Sequence, residues 1–102
     1  MMPRKKLEYY ANMHGVKDYA AVKLTDGQVA EICARVGSKK FSSSDCGGRL
    51  SPLIDLITDD GDFAEKNRAA LGGKSVSDDF FSIRLADHAA DQVMAAYADI
   101  TK

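Results

Sequence analysis

The chain has 102 residues, 45% of them hydrophobic, and a formal net charge of −1. That length and apolar content fit one domain with a modest core, spanning 1–102, and exclude a disordered chain. No apolar run approaches the roughly 18 residues of a membrane span, and the charged start Met1-Met2-Pro3-Arg4-Lys5-Lys6 leads into no signal-peptide apolar segment, so a cytoplasmic protein away from membranes is expected.

Charge is unevenly placed: nine Lys/Arg against five Asp/Glu in residues 1–50, five against ten in 51–102. If the halves pack side by side, they either form a basic and an acidic region or neutralise each other. Two cysteines, Cys33 and Cys46, are too few for a secreted disulfide framework, and two free thiols are expected.

Residues 1–5 are expected to be disordered. From there Leu7, Tyr9, Ala11 and Met13 alternate with Glu8, Tyr10 and Asn12, the pattern of a strand. Asn12-Met13-His14-Gly15 is a turn signal and Tyr19–Leu24 a return strand, giving a hairpin over about 6–24. Thr25 with Gln28 three residues on forms a capping box. Val29, Ile32, Cys33 and Val36 then follow at helical spacing, and Gly37 supplies a stop. The rival reading makes Asp26-Gly27 a turn and Gln28–Val36 a strand. Start and stop signals agree only on the helix.

Periodicity vanishes over 38–50, a polar loop rich in serine and glycine that is expected to be mobile. Ser51-Pro52 opens a short helix with Pro52 at its first position. Asp60 or Asp62 caps a second over Phe63–Leu71, which Gly72-Gly73 ends. Lys74–Asp79 is a linker. Phe80–Leu85 alternates as a strand, with Phe81, Ile83 and Leu85 on one side, and runs straight into a helix over Ala86–Ile100. Together these 21 residues are the longest period-consistent apolar stretch, the one the fold should be organised around. The order is β-β-α-α-α-β-α: an α+β fold, with a small antiparallel sheet (the N-terminal hairpin plus one C-terminal strand) covered by about four helices.

The chemistry-bearing motifs are thin. His14 and His88 lie in no metal-ligand spacing; Asp87, His88 and Asp91 share a helix side, for which a solvated helix end is the simpler account. Asp59, Asp60 and Asp62 lack the spaced ligands and terminal Glu of a calcium loop. Gly72-Gly73-Lys74-Ser75 fails as a phosphate loop because Arg68 stands where a glycine is required. Cys46 beside Ser42, Ser43 and Ser44 offers a thiol or hydroxyl nucleophile, without a nucleophile-elbow framework. Residues 24–32 look like the first helix of a helix-turn-helix, but no second helix follows a tight turn. No metal or other cofactor is expected.

Three functions are carried forward. The leading one is a non-enzymatic protein-interaction module, of the small accessory or viral-inhibitor type, acting on a larger protein. Its candidate contacts are Asp59, Asp60, Asp62, Asp78 and Asp79 with Tyr10 and Phe80 as surface aromatics. The second is a sequence-nonspecific nucleic-acid binder using Arg35, Lys39, Lys40 and Arg49, with Phe41 beside them. The third is a thiol or hydrolytic enzyme around Cys46.

Overall fold

The computed structural model describes residues 2–72 and 79–102. It contains α1 (Arg4–Met13), a short 3-10 turn (Tyr19–Ala21), α2 (Asp26–Val36), α3 (Leu50–Thr58), α4 (Gly61–Leu71) and α5 (Asp79–Ile100). Among the described residues there is no strand, so the expected α+β fold with its antiparallel sheet is overturned. The fold is helical.

The N-terminal hairpin fails because residues 7–14 satisfy two periods at once. In α1, Leu7 and Ala11 are buried one turn apart, with Tyr10 and His14 half-buried on the same stripe. Tyr9, which a strand would have placed inside, is 60% exposed. The end signal decides between the two readings. Gly15, at φ +74°, lets the Val16 N–H reach the Ala11 carbonyl at 2.8 Å and its own N–H reach Asn12. That is a Schellman stop, so the glycine read as a hairpin turn closes a helix. The expected return strand is the 3-10 turn followed by extended chain at Val22. Its buried side chains, Tyr19 and Leu24, belong to the core without any sheet.

Phe80–Leu85 is also helical, as the opening turns of α5. Phe81, Leu85, Ala89 and Val93 are buried at intervals of four. Phe81 and Leu85 fit either period; Ile83 separates them, and it is 55% exposed. Extending an existing helix adds one hydrogen bond per residue with no new nucleation. A strand here would have had no hairpin to pair with.

The signals for the other helices are read more directly. The Thr25 hydroxyl accepts from the Gln28 N–H at 3.2 Å and the Gln28 side chain accepts from the Thr25 N–H at 3.0 Å, the reciprocal capping box. Gly37 ends α2 at φ +81°. Helix α3 starts at Leu50, which moves Pro52 to its third position, still within the turn whose N–H groups have no helical acceptor. Asp60 caps α4, and Gly72 ends it.

Helix α5, with 22 residues, is about 33 Å long at 1.5 Å per residue, matching the molecule's 35 Å long axis. It packs against all four other helices. Val29 and Ile32 from α2, Leu53 and Ile57 from α3, and Phe63 from α4 are fully buried, as are Val93 and Met94 of α5. Each such side chain contributes about 1.5–3 kcal/mol by leaving water. Loop 38–49 is tied to this body by buried Phe41 and Cys46 and by a 2.8 Å bond from the Leu24 N–H to the Gly48 carbonyl.

Candidate partner-docking face

The two oppositely charged halves neutralise each other across the fold. Lys6 of α1 lies 3.2 and 3.3 Å from the two carboxylate oxygens of Asp87 on α5. His14 Nε2 lies 2.5 Å from Asp91 Oδ1, and Arg35 of α2 reaches Asp99 at 3.4 Å. Asp87 and Asp99 of α5 are therefore answered by cations from the N-terminal half, and Asp91 by an imidazole nitrogen.

The remaining carboxylates divide by what they hold. Asp60 is buried; one oxygen accepts the Asp62 N–H at 3.2 Å and the other the Lys39 N–H at 3.0 Å. It caps α4 and pins the loop, so it is unavailable to a partner. Asp62 sits in the first turn of α4, where the helix dipole favours a negative charge. Asp26 accepts the Ser43 N–H at 2.7 Å and Asp45 the Ser42 N–H at 2.8 Å. Those backbone bonds hold both carboxyls below the usual carboxylate range.

Asp55 and Asp59 are different. They lie four residues apart at the C-terminal end of α3, which has no basic residue in its last turn. Neither takes a side-chain hydrogen bond or an ion pair among the described residues. A negative charge there opposes the helix dipole, and a like-charged pair at this spacing is itself unfavourable by about 0.2–0.5 kcal/mol.

These two carboxylates rim a groove of about 620 Å³ between the start of α1, the end of α3 and the start of α5. Its apolar lining comes from Met2, Pro3, Ile83 and Ala86. Lys6 and Asp87 close one side as an ion pair. Phe80, one turn before Ile83, is 67% exposed, with the Arg84 guanidinium 5.6 Å from its ring centre. Of the other candidate contacts, Asp79 is the first residue of α5, and Asp78 lies outside the described residues. Tyr10 is half-buried against α5. Burial, then the charges of Asp87 and Asp91, raises its phenol above the ordinary value, so it stays a neutral hydroxyl.

Next to this face, Tyr10, His88, Asp91, Arg84 and Leu71 surround a cleft of about 210 Å³. His88 stacks on Phe63 with ring centres 5.9 Å apart, and burial lowers its pKa, with Asp91 working the other way. Asp87, His88 and Asp91 thus turn to three different partners. No group of three or more His, Cys, Asp or Glu converges on a metal site among the described residues. His14 and Asp91 form a base-and-orienter pair, but the hydroxyl beside them is a phenol held neutral.

Cys46 is buried, its thiol 3.7 Å from the Ser42 carbonyl oxygen and 3.6 Å from that of Ser43. A reactive thiol needs exposure and a positive surrounding, and Cys46 has no exposure. Cys33 is likewise buried and free.

The basic residues do not gather into one free patch. The Arg35 guanidinium is shared between Glu31 and Asp99, and Arg49 donates to the Ala20 carbonyl at 3.0 Å. Lys39 lies 5.2 Å from the ring centre of Phe41, which is buried, and Lys40 is exposed beside Asp26 and Asp45. After α2 the next helix starts 13 residues beyond Gly37, so a helix-turn-helix is not formed. No helix among the described residues is long and apolar enough to cross a membrane.

A scan against protein-family models, a search of curated proteins and a search of solved structures each found no match.

Reading Phe80–Leu85 as a strand places Ile83 inside, and expecting residues 1–5 to be disordered leaves Met2, which is buried, and Pro3 out of any site. Asp59 is among the expected contacts, and the signal that adds Asp55 is present in the sequence: two carboxylates at helical spacing just before a helix stop, with no lysine or arginine in that turn.

Proposed function

We propose that this chain is a small protein-interaction module that docks on a larger protein through the end of the molecule formed by α1, α3 and α5. The observation that carries this reading is Phe80 and Ile83, both more than half exposed on the opening turns of α5 beside an apolar-lined groove. Single exposed apolar residues need no explanation, but two large ones adjoining a groove are the usual anchor arrangement of a docking surface. Phe81 and Leu85 of the same turns are buried, so the backbone that carries the anchors is packed on the core and loses little freedom on binding. The accessory or inhibitor type of role is consistent with this architecture, in which one end of the molecule presents apolar anchors. The test is co-purification from the native host with wild-type protein and with the double variant Phe80→Ser, Ile83→Ser. Far-UV circular dichroism should show both folded, and a specific partner should be retained by the wild type and lost by the variant. Equal retention by both proteins would overturn the reading.

A further inference from the structure

We infer that the groove receives a basic amphipathic segment of the partner protein, with an apolar side chain seated on Met2, Ile83 and Ala86 and a lysine or arginine on Asp55 and Asp59. The inference rests on the docking reading above and adds the partner's chemistry. Three observations converge on it. Met2, Pro3, Ile83 and Ala86 give the groove an apolar part, so its occupant presents an apolar side chain there. Among the described residues of its rim the cation is Lys6, already matched by Asp87, which leaves Asp55 and Asp59 there as net negative charge. Both stand at the end of α3 where the helix dipole makes a carboxylate least favourable, and no cap or hydrogen bond explains them. A cation placed between them would answer the pair and the helix end together. Phe80 lies outside the groove lining on the same helix end, so the apolar surface continues past what a small molecule would cover.

Electrostatic matching of this kind acts mainly on the association rate and weakens with salt. The probes are three short fluorescent peptides: a leucine–lysine amphipathic helix, its leucine–glutamate counterpart, and a serine–lysine peptide with the charge of the first and no apolar face. Anisotropy with the whole protein should show binding of the leucine–lysine peptide alone. That binding should fall with added salt and weaken about tenfold in both Ile83→Ser and Asp55→Asn, Asp59→Asn. The inference is overturned if no peptide binds, if either of the other peptides binds as well, or if the Asp variants leave binding unchanged. Sedimentation of the protein alone addresses the other occupant: a dimer dissociated by Ile83→Ser would assign the groove to a second copy and overturn the inference. The two readings fail separately. A host partner lost with Phe80→Ser, Ile83→Ser yet retained with Asp55→Asn, Asp59→Asn would sink the partner chemistry and leave the docking face standing.

Discussion

Two neighbouring residues, Asp59 and Asp60, mark the boundary between two acidic regions that behave oppositely. On the Asp60 side, among α2, the 38–49 loop and α4, carboxylates are building material. Asp26, Asp45 and Asp60 all accept backbone N–H groups, and together they fasten a loop with no regular structure to two helix ends. On the Asp59 side, where α3 ends beside the starts of α1 and α5, Asp55 and Asp59 take no side-chain hydrogen bond or ion pair among the described residues and stand beside Ile83. The difference shows that a count of acidic residues along the chain is a poor guide to a binding surface. What distinguishes the two groups is whether a backbone N–H is bonded to the carboxylate: Asp26, Asp45 and Asp60 each accept one, and Asp55 and Asp59 accept none among the described residues.

The same division runs through α5, and there it can be broken with the largest effect. Phe81 belongs to the core and Ile83 to the rim, though they stand two residues apart. Phe81→Ala should cost about 3–5 kcal/mol, whereas Ile83→Ala should cost less than about 1 kcal/mol. Urea unfolding of the two variants measures both. Comparable losses would put Ile83 in the core, restore the alternating reading of this stretch and remove the docking face.

That pair also shows how far the sequence carries. Helices α2 and α4 were legible because each has its own start and stop chemistry: the Thr25–Gln28 box and Gly37, Asp60 and Gly72. The central importance of Phe80–Ile100 was legible from its unbroken apolar pattern. What was not legible was the choice of period at Leu7–Met13 and Phe80–Leu85, because residues four apart also lie on one side of a strand. Only the intermediate positions, Tyr9 and Ile83, tell the two apart, and both are apolar on the outside of a helix. A large apolar residue left on the surface is thus what misdirects a periodicity argument. Asp60, named with Asp59 and Asp62 as a candidate contact, illustrates the converse: one buried cap placed among exposed neighbours of the same type.

Asp60 gives the next largest effect. Replacing it with Ala removes a helix cap worth about 1 kcal/mol and leaves the Lys39 N–H without its acceptor, which costs about 1–3 kcal/mol. A total loss of about 2–4 kcal/mol is expected from these two contributions. The loop should loosen first, read as faster amide exchange at Lys39 and neighbouring residues than in the body of α5. A uniform change in exchange over the whole chain would mean that the loop and the helices are not held as separately as their hydrogen bonds indicate.

The smallest effect is expected on the other side of the boundary, and its sign is what matters. Asp55→Asn with Asp59→Asn changes helix propensity little. It removes a like-charged pair worth about 0.2–0.5 kcal/mol and relieves an unfavourable dipole interaction of about 0.3–1 kcal/mol per charge, reduced here by exposure to solvent. Stability should therefore hold or rise by about 0.5 kcal/mol, an increase in Tm of roughly 2–4 °C for a domain of this size. The gain should shrink as salt is added, because the repulsion being relieved is itself screened. A carboxylate pair that the fold is better without, in the same protein where Asp60 cannot be removed cheaply, is the pattern expected when charge is kept for something outside the chain. A loss above about 1 kcal/mol would instead place Asp55 and Asp59 among the structural carboxylates and dissolve the contrast between the two regions.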